Sequence, residues 1–274
     1  MSSSNAVLGL VKSHGLDKLF PETEREHELT PFESVDPSVT VPYAPEWNDL
    51  LRLFALVRLR RATTVLEFGC GFSSVVLAHA LTLNESELRD HVTSNLRRTD
   101  AFKLFVVDDI PAYLSATEAR LTAAQKKIVS FHQSAVHMTT FSGRICTEYE
   151  TLPNVCPDLI YLDGPSQDSA RGEVNGISTR HPDRLPMACD ILKIEHFLLP
   201  GTLVLVDGRT ANARFLKSNL QREWRHEHDT EGDVHYFEMI EEPLGKWNRR
   251  QIEFCLGSDW RARPLKPDFS RLVS

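Results

Sequence analysis

Residues 65–74 of the chain are VLEFGCGFSS, a β-favouring run that ends in a carboxylate and is followed by a Gly-x-Gly turn. Glycine suits such a turn because it accepts positive φ angles and has no Cβ to keep a ligand away from the backbone. Ser73 or Ser74 can cap the helix that begins after the turn, where free N–H groups favour an anionic or carboxylate-bearing ligand. The stretch therefore predicts a strand, a ligand-binding turn and a helix.

Predicted strands and helices alternate on both sides of this stretch. A helix with apolar residues at helical spacing begins at about Glu46. The predicted strands are Thr63–Phe68, Lys103–Val107, Ile128–Phe131, Asp158–Leu162 and Thr202–Val206. The helices that alternate with them are Ser73–Leu83, a segment ending at about Lys127, Met187–Phe197 and Asn212–Arg222. Continuous apolar runs such as LIYL and LVLV indicate parallel strands that are covered on both faces.

Two closing strands, Val234–Ile240 and Gln251–Leu256, have only a turn around Pro243 between them, which predicts an antiparallel hairpin at one sheet edge. The expected fold is therefore α/β, with a doubly wound, mostly parallel sheet of seven strands and an antiparallel C-terminal hairpin. We expect one domain over residues 1–274, made of an N-terminal cap (1–48), an α/β core (49–256) and a tail (257–274).

Four acidic residues stand where predicted strands end: Glu67, Asp108, Asp163 and Asp207. Ligands of open parallel sheets bind beyond the carboxyl ends of the strands, so these side chains are expected to share one site. Each also has a simpler explanation. Glu67 could favour the nearby helix N-terminus, Asp108 or Asp109 could cap the next helix, and Asp163 and Asp207 could form turns with the glycines after them.

Together these motifs resemble those of class I S-adenosylmethionine-dependent methyltransferases, over roughly residues 46–256. VLEFGCGFSS matches their first motif, with serine where a third glycine often stands, and LFVVDD supplies the acid that grips the ribose hydroxyls. DLIYLDGP and LLPGTLVLVDGR match their fourth and fifth strands. The resemblance implies that S-adenosylmethionine is bound by Glu67, Gly69, Cys70, Gly71, Ser73, Ser74, Asp108, Asp109 and Asp163.

The chain departs from the usual pattern in spacing. Glu67 and Asp108 are 41 residues apart, whereas about 20 residues usually separate a glycine loop from its ribose acid. We assign the excess to a polar insertion, Asn84–Asp100. A second polar insertion, Ser166–Pro186, follows Asp163 and is expected to be the substrate-specific part.

Asp163 and Asp207 are the expected catalytic residues and the candidate ligands of a Mg²⁺ ion. In the catechol O-methyltransferase type of the family, aspartates at these strand ends hold Mg²⁺, which suits oxygen ligands and activates a hydroxyl. Those enzymes place Asn or Asp directly after the second acid, whereas this chain has Gly208 and then Arg209. Either Mg²⁺ or Arg209 could neutralise the two carboxylates.

Composition narrows the range of partners. A net charge of −7 argues against a duplex nucleic acid, which prefers a clustered positive surface. No apolar stretch reaches the length needed to span a membrane, and the N-terminal apolar run is too short for a signal peptide. Five scattered cysteines without a CxxC pair indicate neither a disulfide framework nor a zinc site. We expect a cytoplasmic protein with a small-molecule partner.

The expected function is methyl transfer from S-adenosylmethionine to a small molecule, with oxygen as the first candidate for the accepting atom. One alternative is a non-catalytic protein of the same fold that binds S-adenosylmethionine or a partner. Another is an NAD-dependent oxidoreductase, because the Gly69-x-Gly71 turn would also serve a dinucleotide. The carboxylate before the turn and the missing third glycine favour the methyltransferase pattern.

Overall fold

The computed structural model describes residues 3–20 and 46–272, so most of the predicted N-terminal cap lies outside the described residues. Before the sheet, the chain forms helix α1 (Ser3–Ser13) and helix α2 (Trp47–Leu59). Helix α2 is the helix expected from the apolar spacing, and its residues 50–57 are all buried. Phe20 joins the same core and lies against Trp47, with ring centroids 5.9 Å apart.

The strands of the described residues are β1 (Thr64–Phe68), β2 (Lys103–Asp108), β3 (Val129–Gln133), β4 (Val136–Phe141), β5 (Arg144–Tyr149), β6 (Leu159–Leu162), β7 (Leu203–Asp207), β8 (Trp224–Asp229) and β9 (Val234–Met239). Seven of them form one sheet in the order β3-β2-β1-β6-β7-β9-β8, and β4 pairs with β5 in a separate antiparallel ribbon. The first five strands in this order, β3, β2, β1, β6 and β7, are parallel to one another. Strand β9 runs antiparallel to both β7 and β8. The predicted doubly wound, seven-stranded fold is confirmed.

Strand order reverses at β1, because the chain first adds β2 and β3 on one side and later adds β6 and β7 on the other. Such a reversal opens a crevice beyond the carboxyl ends of the two strands that flank it. The crevice of this protein therefore lies at the ends of β1 and β6, where Glu67 and Asp163 were expected to meet.

Helices cover both faces of the sheet. They are α3 (Phe72–Asn95), α4 (Pro111–Arg120), α5 (Asp190–Ile194), α6 (Thr210–Asn219) and α7 (Gly245–Cys255). Alternate residues of each strand enter opposite cores, as the period of a strand requires. Val65 packs into the core shared with α2 and α3, and Leu66 packs into the core shared with α5 and α6. Burial on both faces explains the continuous apolar strands.

The position of the closing hairpin was predicted wrongly. Its strands are β8 and β9, whereas the predicted strand Gln251–Leu256 belongs largely to helix α7. Asn248, Gln251, Ile252 and Cys255 are the buried residues of that helix, and this is helical spacing. Strand β8 has the sequence WRHEHD, and so much charge hides the usual pattern of a strand. Charged residues are common on edge strands because they discourage pairing with other chains.

The predicted insertion Asn84–Asp100 is mostly a continuation of helix α3, which ends at Asn95. Asn84 is fully buried, and its amide donates hydrogen bonds to the carbonyl oxygens of Val57 and Ala62. The additional residues between Glu67 and Asp108 therefore belong to a longer helix α3, apart from the loop at 96–102. The next helix, α4, ends at Arg120, seven residues earlier than expected.

The tail packs against the body of the protein rather than extending from it. Trp260 and Leu265 are each at least nine-tenths buried, and Leu265 belongs to the core that contains α2. Within the described residues, no helix has the length and apolar character that a membrane crossing requires.

Candidate functional site

The glycine turn after β1 is held against two neighbouring strands. The amide of Gly69 donates a hydrogen bond of 2.8 Å to the carbonyl of Val107 at the end of β2, and the amide of Asp163 donates one of 2.9 Å to the carbonyl of Phe68. Gly69 has φ = 95°, a conformation that L side chains rarely adopt. The turn is thus fixed where the strand order reverses.

Gly71 faces open space on the other side of this turn. A Cβ atom built on Gly71 would meet no atom of the described residues within 4 Å. The amide of Gly71 donates a 3.2 Å hydrogen bond to Ser74 Oγ, so that Ser74 caps the start of α3 as expected. The turn leaves its backbone accessible where a ligand would approach the helix N-terminus.

Glu67 lies behind the turn and is fully buried. Its carboxylate accepts hydrogen bonds from Ser73 Oγ (2.5 Å) and Ser74 Oγ (2.6 Å). Burial raises the pKa of Glu67 to about 8, with Asp163 and Asp108 adding to the rise and the two serine hydroxyls opposing it. Glu67 therefore connects the two serines to the strand and holds the first turn of α3.

Asp108 ends β2 beside the glycine turn and is buried. Its Oδ1 atom accepts a 2.8 Å hydrogen bond from the amide of Ile110, the N-cap residue of α4, while no side chain of the described residues caps the first turn of that helix. Burial raises the pKa of Asp108 to about 6, and a hydrogen bond from the Cys70 thiol is among the contacts that lower it. The backbone of Asp109 also forms a hydrogen bond with this carboxyl group. Since a carboxylate has about four acceptor positions, these three contacts leave one for a ligand.

Asp109 points towards the loop that follows β6. Burial raises the pKa of its carboxyl, while a hydrogen bond with Ser169 and the charge of Arg171 lower it. The predicted insertion 166–186 contains no α-helix and only an isolated bridge between Val174 and Ile177, besides its contact with β4. This loop consequently flanks the glycine turn on the side of Asp109.

Asp163 and Arg209 form the link between the ends of β6 and β7. Arg209 Nε lies 3.5 Å from Asp163 Oδ1, its Nη1 donates to the carbonyl of Pro165 at 2.8 Å, and its Nη2 donates to the carbonyl of Asp163. The Asp163 side chain remains 54% exposed. Surrounding protein still raises the pKa of this carboxyl by displacing water, and Arg209 opposes the rise.

Asp207, at the end of β7, is more enclosed than Asp163, with a side chain that is 14% exposed. Its Oδ2 atom accepts a 3.0 Å hydrogen bond from the Tyr161 hydroxyl, and Arg52 Nη1 lies 3.8 Å from its Oδ1. Burial raises the pKa of Asp207 to about 7, assisted by the charges of Asp49 and Asp163 and opposed by Arg52. The strand ends thus contribute carboxylates that repel one another.

Arg52 is the functional candidate that the motifs did not reveal. It lies on α2, pairs with Asp49 at 2.9 Å and is 7% exposed. Its sequence neighbours Leu51, Leu53 and Phe54 are buried as well. A charged residue inside such an apolar run was the available indication, because buried arginine generally needs a partner.

The donor set does not fit a Mg²⁺ site at Asp163 and Asp207. Arg209 and Arg52 already place guanidinium groups beside the two carboxylates. Residues 3–20 and 46–272 contain no group of three or more His, Cys, Asp or Glu side chains arranged to hold a metal. Mg²⁺ normally keeps an octahedral shell with carboxylates that are free to bind it. The charge balance of this site is supplied by arginines.

Comparison with protein-family models gives no match, and comparison with curated proteins also gives none. Among solved structures, the chain is similar to the O-methyltransferase TomG from Streptomyces achromogenes, which is involved in tomaymycin synthesis and was solved with S-adenosylmethionine. The identity is 18% and the TM-score 0.39, and the match covers 73% of this chain and 82% of TomG.

Two further structures were solved with S-adenosylhomocysteine. For the O-methyltransferase from Bacillus cereus, the identity is 11%, the TM-score is 0.39, and the match covers 86% of this chain and 91% of that enzyme. For the methyltransferase PaMTH1 from Podospora anserina, the identity is 13% and the TM-score is 0.40. This match covers 86% of this chain and 88% of PaMTH1. All three likenesses are distant. The strand order described above is what shows that this chain has the Rossmann-like fold of class I methyltransferases.

Proposed function

We propose that the protein binds S-adenosylmethionine at the glycine turn and transfers its methyl group to a small molecule, most simply to a hydroxyl oxygen. The observation that carries this proposal is the group of carboxylates around the turn. The charges of Asp163 and Asp108 raise the pKa of Glu67, and the charge of Asp163 also raises that of Asp207. A ligand with positive charge relieves that repulsion.

The charge of the site separates two classes of cofactor. S-adenosylmethionine carries a sulfonium and an ammonium group, which are attracted by neighbouring carboxylates. A nicotinamide dinucleotide carries a pyrophosphate, which the same carboxylates repel. The electrostatics therefore favour S-adenosylmethionine over NAD, in agreement with the acid that precedes the turn.

The residues of the turn also fit the cofactor sterically. Open space at Gly71 lets a ligand approach the start of α3, while Asp108 retains an acceptor position for a ribose hydroxyl at the end of the neighbouring strand. Asp109 and Ser169 lie at the border of the site and connect it to the loop 166–186. This loop is the part of the chain that would contact the methyl acceptor.

S-adenosylmethionine, when bound, supplies a methyl carbon attached to a positive sulfur. The protein has to align the acceptor with that carbon and to remove the proton of a hydroxyl acceptor. Asp163 is the carboxylate that a hydroxyl acceptor can reach more readily, because its side chain is 54% exposed, compared with 14% for Asp207. Arg209 and Tyr161 hold the two aspartates in place. The Asp163 carboxylate would take the proton of a hydroxyl acceptor, whose oxygen would gain the methyl group while the electron pair of the broken carbon–sulfur bond stayed on sulfur.

Calorimetric titration tests the binding step. We expect S-adenosylhomocysteine to bind with micromolar affinity, NAD not to bind, and Gly71→Val to abolish the binding by filling the open space. Gly9→Val, on the exposed side of α1, is the matched control and should bind like the wild type. Wild-type protein that gives no heat with either S-adenosylmethionine or S-adenosylhomocysteine would contradict the proposal.

Transfer is tested separately with S-adenosylmethionine that carries a radioactive methyl group and a library of small hydroxyl, amine and thiol compounds. The proposal predicts label in at least one hydroxyl compound and loss of that label in Asp163→Asn. If the protein binds the cofactor but labels no compound, a non-catalytic binding protein is the better description.

A further inference from the structure

A second cavity lies away from the proposed active site, between the tail and the opposite edge of the sheet. Its volume is about 190 Å³, and α2, β8, β9 and the tail each contribute to its wall. Glu238 of β9 pairs with Leu203 at the beginning of β7, whereas Asp207 ends that strand. The cavity is therefore at the amino ends of the parallel strands, one strand length from the carboxylate site.

Basic side chains dominate the wall of this cavity. Among the described residues that line it, two are acidic, Glu238 and Asp268, and five are basic: Arg60, Arg225, Arg263, Lys266 and Arg271. The chain as a whole has a net charge of −7, so this concentration of positive charge runs against its overall balance. Apolar residues such as Leu56, Trp260 and Leu265 form the rest of the wall.

One buried carboxylate is shared by two of the arginines. Glu238 is 1% exposed, and its two oxygen atoms accept hydrogen bonds of 2.7 Å from Arg60 and from Arg225. The Nε atom of Arg225 is buried and has no hydrogen-bond partner among the described residues. Two guanidinium groups on one carboxylate leave an excess positive charge beside the cavity.

Arg263 adds a third guanidinium group with a weak partner. Its side chain is 25% exposed, and its ion pair with Asp259 is long, 3.9 Å, to a carboxylate that is itself largely exposed. Burial lowers the pKa of Arg263, the charges of Asp259 and Glu238 oppose this fall, and the charges of Arg60 and Arg271 add to it. Arg263 is thus held near other cations at an electrostatic cost.

We propose that this cavity binds a small anion that carries phosphate, with Arg263 as its main contact and Arg60 and Arg225 beside it. Guanidinium groups match the oxygen geometry of phosphate and bind it with paired hydrogen bonds. A phosphate group presents several terminal oxygens in different directions, so it can contact at once Arg60 at the C-terminal end of α2, Arg225 of β8 and Arg263 of the tail. A single carboxylate presents only two oxygens in one plane.

Binding of such an anion would fasten the tail to the body of the protein, because Arg263 belongs to the tail whereas Arg60 and Arg225 belong to the body. We therefore expect slower amide hydrogen exchange over residues 257–272 in the bound state. The site would act independently of the cofactor, since the two sites are at opposite ends of the sheet.

Calorimetric titration with inorganic pyrophosphate, at constant ionic strength set with sodium chloride, tests the proposal. The expected result is saturable binding of one pyrophosphate per chain, weakened at least tenfold by Arg263→Gln and less by Arg263→Lys. Arg89→Gln, an equal loss of charge on the exposed side of α3, should bind like the wild type. Saturating S-adenosylhomocysteine should leave the binding unchanged.

Each of three outcomes of the pyrophosphate titrations would overturn the proposal. They are the absence of saturable binding, equal affinity in the Arg263→Gln and wild-type proteins, and displacement of pyrophosphate by S-adenosylhomocysteine. Citrate that bound as tightly as pyrophosphate would show that charge alone selects the ligand and would overturn the assignment to phosphate. Thermal denaturation of each variant without ligand establishes that the substitutions leave the fold intact.

Discussion

The backbone of Gly164 lies against the backbone of Gly69, so that a Cβ atom at position 164 would be 2.5 Å from the amide nitrogen of Gly69. The turns after β1 and β6 therefore touch through their main chains, and neither can move away without disturbing its strand. This contact holds the glycine turn and Asp163 at a constant separation. The contact also explains why the residue after Asp163 is glycine, because any side chain there would collide with Gly69. Turn propensity alone does not require glycine at this position.

Replacing Gly164 by alanine should push the two turns apart. Overpacking of this kind costs about 1–3 kcal/mol of stability, and we expect the affinity for S-adenosylhomocysteine to fall as well because the glycine turn shifts. Urea denaturation and calorimetric titration measure the two effects. Gly9→Ala, where an added Cβ meets no neighbour, should not lower stability. Unchanged stability and affinity in Gly164→Ala would refute the interpretation of this contact.

Asp108→Asn should weaken cofactor binding by about 1.5–3 kcal/mol, the range for hydrogen bonds to a charged group. Asparagine keeps an oxygen that can accept the Ile110 amide, so the start of α4 should be preserved. Calorimetric titration with S-adenosylhomocysteine measures the loss, and the melting temperature checks the fold. Normal binding by Asp108→Asn together with weak binding by Asp109→Asn would move the ribose contact to Asp109.

Charge neutralisation by Arg209 rather than by Mg²⁺ makes a distinct prediction. Arg209→Ala should weaken S-adenosylhomocysteine binding roughly fivefold or more because Asp163 and the carbonyl of Pro165 lose their partner, whereas Arg209→Lys should lose less. Arg214→Ala, at an exposed position of helix α6, which begins directly after Arg209, serves as the control. Methyl transfer should persist in excess chelator. Loss of transfer with chelator, and its recovery with Mg²⁺ or Mn²⁺, would restore the metal hypothesis.

The stability of the protein should depend on pH through Glu67. Its pKa is raised to about 8 in the folded state, while the unfolded chain has the ordinary value near 4.3. The folded state therefore keeps a proton that the unfolded state has lost, and the free energy of unfolding falls as pH rises between these values. Above pH 8 the ionised, buried carboxylate costs roughly 3–5 kcal/mol relative to a neutral side chain.

Glu67→Gln cannot ionise and should have a flatter dependence, with higher stability than the wild type at pH 9 and similar stability at pH 5. Urea denaturation at pH 5, 7 and 9 measures the free energy of unfolding of the variant and of the wild type. Other carboxyl groups also have raised pKa values, such as Asp190 with a pKa of about 7. Asp190 contributes equally to the pH dependence of the two proteins, so its contribution cancels when their free energies of unfolding are subtracted. Glu253→Gln, on the exposed side of α7, should follow the wild type. Parallel curves for Glu67→Gln and the wild type would show that Glu67 is ionised throughout.

Local patterns were sufficient for the core of the sheet and for the glycine turn. The strands β1, β2, β3, β6 and β7 all lie within three residues of their predicted limits. They are short apolar runs bounded by turn residues, so that the burial of a parallel sheet is visible in each run separately. The acids at the strand ends were predictable too, because the carboxyl ends of parallel strands all lie at one edge of the sheet.

Patterns failed where burial and pairing came from elsewhere in the chain. Strand β8 has little apolar character of its own and exists because β9 pairs with it. Helix α3 extends past the predicted limit because buried Asn84 bonds to the end of α2. Half of the residues in the ribbon of β4 and β5 are half-buried, so neither strand has the continuous apolar run that marks the parallel strands.

The sequence by itself determined the five parallel strands, the open glycine turn and the acids that surround it, since each of these depends on neighbouring residues. Only the tertiary structure decided which charges balance those acids. Arg52 reaches Asp207 from α2, Arg209 reaches Asp163 from the beginning of α6, and Arg263 enters the second cavity from the tail. Electrostatic energy depends on distance in space and on burial, and neither quantity can be read along the chain.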